Sequence, residues 1–214
     1  MTSGLTYILK SSIYVSLTNR CNAVPLIKTR GPSFTMPAAS GFSPLPSNDE
    51  PTAEQVADAV SAALSGVEAK EVCFAGVGEP LLRRRCLEDA AKLIRKASPD
   101  LALRLNTNGL VADSEAKELA SSLRAIGFTG TTVALATADA AQYTELMKPE
   151  PIRLSPVMSI PMGHSEVTGF IAACVAEGLN VECSAVARPE VDLDATAALA
   201  KSLGATFRER SWHP

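Results

Sequence analysis

The stretch EVCFAGVGEP, residues 71–80, followed by LLRRRCLEDAAKLIRK to position 96, decides the architecture of this chain. After Glu71, the residues Val72 to Ala75 are apolar, and Glu71–Ala75 reads as a short buried strand. The glycines and Pro80 then break the strand, and Leu87, Ala91 and Ile94 recur at helical spacing. A strand that turns directly into an amphipathic helix is one βα unit. The remainder of the chain repeats it.

Strands are expected at Ile13–Thr18, Glu71–Ala75, Leu101–Asn106, Thr131–Ala136, Pro156–Ile160, Asn180–Ala187 and Thr206–Arg210. Several are apolar on both faces, as suits parallel strands covered by helices. The intervening helices have readable ends. Thr52 with Gln55, and Asp139 with Gln142, have capping-box spacing, while Gly127, Gly178 and Gly204 stand where left-handed C-terminal residues are needed. Val56 and Val60, Leu119 and Leu123, Phe170 and Cys174, and Leu199 and Leu203 are the expected inward faces. Strand and helix alternating about six times predict a parallel α/β sheet joined by right-handed crossovers. An open doubly wound sheet and a partial barrel both satisfy that pattern. In either, ligands bind on the loops that follow the strands.

The 214 residues suffice for one well-buried core, so a single domain is expected over 1–214. A net charge of -3 provides no basic field for a phosphate backbone, which excludes general nucleic-acid binding and favours a small-molecule or protein partner. The cysteine count, 5, is odd and scattered, which argues against a disulfide framework. No apolar run approaches the roughly 20 residues that cross a bilayer. A soluble protein of the cytoplasm or another reducing intracellular compartment is expected. Residues 21–50 break the alternation, because five prolines there, Pro25, Pro32, Pro37, Pro44 and Pro46, oppose helix and strand alike. A long loop is expected, either a mobile insertion or a functional segment.

Candidate chemistry follows the strands. Cys21 beside Arg20 has the setting of a lowered-pKa thiol but no neighbouring histidine, so no catalytic residue is assigned. Gly76, Gly78 and Glu79 allow close backbone approach and offer an acceptor for an ammonium or hydroxyl; a tight turn with a capping Glu explains them equally. Asn106, Thr107 and Asn108 either bond a ligand or close a turn. Arg83, Arg84 and Arg85 read as a solvated helix face. Arg20, Lys28 and Arg30 have no acidic neighbour between them, so they are either an anion site or loose surface charge.

In order, Tyr14-Val-Ser-Leu-Thr-Asn-Arg-Cys21, Phe74-Ala-Gly-Val-Gly-Glu-Pro80, Leu105-Asn-Thr-Asn-Gly109 and the run from Val133 to Pro149 resemble the radical S-adenosylmethionine (SAM) superfamily. Within it they are most similar to the small proteins associated with the TatD family, and the resemblance covers most of the chain. It implies a partial (β/α)6 barrel. It implies that Gly76, Gly78 and Glu79 lie where the family meets the methionyl amino group of SAM, with Asn106 and Asn108 near its polar moiety. The family's cluster loop spaces three cysteines as C-x3-C-x2-C, and from Cys21 that spacing falls on Pro25 and Lys28. Neither ligates iron as a thiolate does. Cys21 is then the one cluster-type ligand kept, a conventional [4Fe-4S] site is not expected, and SAM remains the expected small-molecule ligand. Two alternatives stand beside this: a non-catalytic pseudoenzyme that binds a protein partner through the Pro-rich loop, and an active enzyme with atypical cluster ligation.

Overall fold

The order of elements follows from local signals that repeat along the chain. The computed structural model describes residues 4–46 and 50–214. Residues 1–3, and 47–49 within the long loop expected at 21–50, lie outside the described residues. The chain divides into two compact units. One holds the segments up to Cys21, Thr35–Thr107 and Leu123–Gly130; the other holds Asn22–Phe34, Asn108–Ser122 and Thr131–Pro214.

The first unit opens with a hairpin that is not among the expected elements. Strands β1 (Thr6–Leu9) and β2 (Ser12–Val15) pair antiparallel, pairing Leu9 with Ser12. Their turn uses Lys10 at φ 56, with none of the Asn-Gly or Asp-Gly signature that marks such turns. Then follow α1 (Ala53–Leu64), β3 (Glu71–Phe74), α2 (Arg84–Ala97) and β4 (Ala102–Thr107). The strand order is β1-β2-β3-β4 and then the opening of β5 (Phe128–Ala134), with β2, β3 and β4 parallel. At the start of α1 the expected capping box forms in full. Thr52 N donates to Gln55 Oε1 at 2.8 Å and Gln55 N to Thr52 Oγ1 at 3.3 Å.

Ile13, Val15, Val72, Phe74, Leu103, Leu105, Val56, Val60, Leu87, Ala91 and Ile94 are buried at the core of this unit. Phe74 and Phe128 meet there with ring centres 5.7 Å apart. Arg95 closes the end of α2, its guanidinium donating to the carbonyls of Leu101 and Gly127 at 2.8 Å each. Arg83 departs from the solvated face expected of it. It donates to the carbonyls of Leu17 and Pro51, at 3.2 and 2.9 Å, and ties the loops to the helix start.

In the second unit α3 (Asp113–Ile126) begins, β5 ends, and α4 (Ala140–Met147), α5 (His164–Ala176), β8 (Asn180–Val186), α6 (Leu193–Ser202) and β9 (Thr206–Arg210) follow. Between α4 and α5 lies a ribbon of β6 (Ile152–Ser155) and β7 (Met158–Ile160). The order runs from β5 to β8 to β9, with β8 and β9 parallel. The strand expected at Pro156–Ile160 is corrected: Pro156 and Val157 form the turn and Met158–Ile160 the return arm of the β6–β7 hairpin, a separate two-stranded sheet. Pro156, just before that arm, has no N–H to add to a central ladder.

Two helix readings are also revised. Asp139 caps α4 through Gln142 N at 2.7 Å, but the Gln142 side chain is engaged elsewhere. It accepts from Thr137 Oγ1 at 2.5 Å and donates to the Glu190 carbonyl at 2.7 Å, so the box is half made. On α6 the buried positions are Thr196 and Ala200, one position from the expected Leu199 face, and Leu199 and Leu203 are half-buried. Small side chains there let the helix lie close, and Thr196 Oγ1 accepts from Ala138 N at 3.1 Å. Among the described residues no helix is long and apolar enough to cross a membrane.

Candidate functional site

In the first unit the loops after β2 and β3 converge beside Thr107, the last residue of β4. Beyond β2 the chain runs Ser16, Leu17, Thr18, Asn19, Arg20; beyond β3 it runs Ala75 to Glu79. The two runs are laced by Gly78 N donating to the Thr18 carbonyl at 3.2 Å and Glu79 N to the Arg20 carbonyl at 2.8 Å. A Cβ at Gly78 would run into the carbonyl of Arg20 and come within 2.5 Å of that of Thr18. Close approach of one loop's backbone to the other explains this glycine. Gly76, at φ 150, would place a Cβ 2.6 Å from Ser16 Oγ.

Glu79 is buried at the centre of this arrangement, 3% exposed. Its Oε1 accepts from Thr107 Oγ1 at 2.7 Å and from Leu81 N at 3.0 Å, the latter capping the 3-10 turn Pro80–Arg83 that leads into α2. A buried carboxylate needs such donors, because an unpaired charge away from water costs several kcal/mol. Thr107 was not singled out in the sequence for this role. The signal was present, since Leu103, Leu105 and Thr107 alternate onto one face of β4 and all three are buried. Asn106 points to the other face of the strand and is half-buried, with no side-chain hydrogen bond among the described residues.

Ser16 was also missed. It is 1% exposed, and its Oγ has no hydrogen-bond partner among the described residues. Beside this turn, Glu50 accepts from Thr18 Oγ1 at 2.6 Å and pairs with Arg20 at 3.0 Å and Arg83 at 3.4 Å. The Thr18 hydroxyl first, then Arg20 and Arg83, hold its carboxyl below the usual carboxylate range. Arg20 therefore has an acidic partner, contrary to the grouping of Arg20, Lys28 and Arg30 as cations without one. That partner stands 30 residues further on, at the end of the long loop.

Asn108 belongs to the second unit and is buried. Its Nδ2 donates to Asn22 Oδ1 at 2.7 Å while its Oδ1 accepts from Leu110 N at 3.0 Å, an Asx turn that closes the strand end. Pro25 and Lys28 lie in a tight turn, with Lys28 N donating to the Pro25 carbonyl at 2.8 Å.

Among the described residues no three His, Cys, Asp or Glu side chains gather as a metal-ligand group. Cys21 is half-buried. Cys73 lies within β3, and Cys86 lies in α2 with its Sγ 3.4 Å from the Pro51 carbonyl. Burial pushes the thiols of Cys174 and Cys183 up to about 12, in the range of inert core cysteines.

No protein-family model matches this chain. No curated protein matches it by sequence. Solved structures do match. The chain superimposes on SuiB of Streptococcus suis bound to precursor peptide SuiA with a TM-score of 0.67 at 11% identity, covering 96% of this chain and 40% of that one. On SuiB bound to SAM the TM-score is 0.65 at 12% identity, with the same coverage. On the radical SAM methyltransferase TsrM from Kitasatospora setae, with cobalamin and a [4Fe-4S] cluster bound, it is 0.57 at 15% identity, covering 92% and 34%. The chain thus spans 40% or less of the length of these proteins. The fold is radical-SAM-like, an α/β fold built on a mainly parallel sheet.

Proposed function

We propose that this chain is a single radical-SAM-like domain of the partial (β/α)6 type that keeps a pocket for SAM, or a related nucleoside-like or anionic ligand, and lacks a conventional [4Fe-4S] site. The observation that carries the reading is the donor set after β2. Cys21 is followed at the family spacing by a proline with no donor atom and by a lysine whose ammonium repels iron. The other cysteines sit in a strand, in helices or in the core. The residues present do not fit a three-thiolate cluster, and reductive cleavage of SAM has no electron source in such a loop.

The SAM half of the reading rests on the turn after β3. The Glu79 carboxylate suits an ammonium, and Ser16 Oγ is a buried hydroxyl that a polar ligand near Gly76 would satisfy. Asn106 brings an amide to the end of β4, and Asn108 keeps its place on the resemblance. Bound SAM would supply an electrophilic sulfonium-linked methyl group. The residues of this chain would hold the methionyl end in place and keep it from water.

Calorimetry with SAM tests the pocket. SAM should bind, and Glu79→Gln should weaken binding by about 1 to 3 kcal/mol, the range for a charged hydrogen bond. No binding by the unaltered protein would favour a pseudoenzyme that engages a protein partner through the Pro-rich loop. Anaerobic iron and sulfide reconstitution, read by absorbance and electron spin resonance, tests the other half. A bound cluster abolished by Cys21→Ala would sink the reading in favour of an active enzyme with atypical ligation.

A further inference from the structure

The second unit holds a groove that the SAM reading does not use. Residues Asn22–Phe34 carry no helical or strand period, and their one regular feature is the 3-10 turn Lys28–Arg30. They are nonetheless fastened at both ends. Val24 N donates to the Met147 carbonyl at 2.7 Å, and Glu150 N donates to the Asn22 carbonyl at 2.8 Å. At the far end Arg30 Nε donates to the Ser211 carbonyl and His213 N to the Arg30 carbonyl, both at 2.9 Å, and Ser33 Oγ donates to the Pro214 carbonyl. Gly31, at φ 107, lies so close to the His213 carbonyl that no Cβ would fit. The segment and the chain after β9 are thus held together before any ligand arrives, which lowers the ordering cost of binding.

Between them is a cavity of about 550 Å³ lined by Ile27, Lys28, Gly31, Pro32, Phe34 and Trp212. That volume falls in the range of small-molecule sites. Two walls are aromatic and each carries a guanidinium over its ring, Arg30 over Phe34 and Arg188 over Trp212, both at 4.3 Å. The charges around it are unevenly answered. Arg188 is paired with Glu190 and Arg208 with Glu182, each at 2.6 Å. Among the described residues no carboxylate pairs with Lys28 or with Arg30. Burial first, and then the charge of Arg208, pull the pKa of Arg30 down, as befits a cation without a counter-charge. In a chain of net charge -3 this is a local cationic spot against aromatic walls.

We infer that this groove binds a planar aromatic anion, its ring against Phe34 and Trp212 and its charge toward Lys28 and Arg30. Two cations on an apolar floor suit one anionic group, not a polyanion. The inference goes beyond the SAM reading, whose contacts after β3 lie in the other unit.

Trp212 is the chain's single tryptophan, so its emission reports on the groove directly. The probe is 2-naphthoate, titrated into the full chain beside uncharged 2-naphthamide and non-aromatic cyclohexanecarboxylate. The expected result is a saturable change in Trp212 emission with 2-naphthoate and about ten-fold weaker binding of either comparator, the scale of one charge-assisted hydrogen bond for 2-naphthamide and of the lost aromatic contact for cyclohexanecarboxylate. Lys28→Gln should weaken 2-naphthoate several-fold with its unfolding curve unmoved, and Lys28→Arg should restore it. Equal affinity for 2-naphthamide, indifference to Lys28→Gln, or no saturable response would overturn the inference. Displacement of 2-naphthoate by SAM would also overturn it, by making the groove part of a SAM site. Loss of SAM binding in Glu79→Gln with 2-naphthoate binding intact would show the two sites to be separate.

Discussion

The turn after β3 and the groove beside Trp212 both belong to loops that follow strands, yet their polar groups have opposite fates. In the turn, the features that look like a binding motif have work to do in folding. Gly78 makes room for the carbonyls of Thr18 and Arg20, and Glu79 Oε1 accepts from Thr107 and Leu81. In the groove no motif is visible, and there two cations stand with no carboxylate partner among the described residues. The contrast teaches that a glycine or acid at a strand end signals a ligand only after the demands of the fold have been subtracted. In the turn, what is left after that subtraction is Ser16 Oγ.

Substitutions should separate the two regions by size and by kind of effect. Gly78→Ala should be the most damaging. Its Cβ would meet backbone carbonyls, which cannot swing away as a side chain would, so a loss of about 3 kcal/mol is expected in denaturant unfolding. A mild effect would mean that the two loops can part, and the turn would then resemble an open site.

Thr107→Val keeps the shape of the side chain but takes a donor from a buried carboxylate. About 2 kcal/mol should be lost, again by denaturant titration. Lys28→Gln in the groove should leave the same curve unchanged. If both variants unfold alike, the contrast drawn between the regions fails.

Ser16→Ala should behave in the opposite sense. Removing a buried hydroxyl that has no partner among the described residues should leave stability level or raise it by up to about 1 kcal/mol. If Ser16 serves a ligand, the same variant should bind SAM more weakly, measured by calorimetry. A destabilised variant would show that the hydroxyl is satisfied within the fold.

The smallest effect concerns Glu50. Its carboxyl is held below the usual range by Thr18, Arg20 and Arg83, so the unfolded chain takes up the proton more readily than the folded one. The stabilisation is then fully present above the ordinary carboxylate pKa of about 4.3. It fades as the pH falls through the depressed value. Glu50→Gln should cost about 0.5 kcal/mol at neutral pH, as expected for a solvent-exposed pair, with the difference closing in acid. A difference that persisted at low pH would assign the effect to packing.

Much of this was readable along the chain. The βα alternation, the capping box at Thr52 and Gln55 and the stop at Gly127 arise from contacts within a few residues, which sequence spacing reports directly. The β1–β2 hairpin escaped because its turn is Lys10-Ser11 and carries no glycine or asparagine. The buried face of α6 is not legible in the spacing because its residues, Thr196 and Ala200, are small, while the larger Leu199 lies one position away. Within the turn, Gly76, Gly78 and Glu79 are legible as a group and Thr107 as one of the polar residues that end β4, whereas the meeting of Thr107 with Glu79 and of Ser16 with Gly76 is not.

Backbone sterics, capping and the 3.6-residue period act locally, so the kinds of element, their order and most of their ends are legible in the order of the amino acids. Which side chains meet follows from long-range packing. Thr107 reaches Glu79 across 28 residues, Glu50 reaches Thr18 across 32, and Arg30 reaches Ser211 across 181. Pairings at such separations are chosen by the packing of whole strands and helices, and no local pattern records them. The groove beside Trp212 is the clearest case: its walls come from two segments of chain at opposite ends of the sequence, brought together by folding.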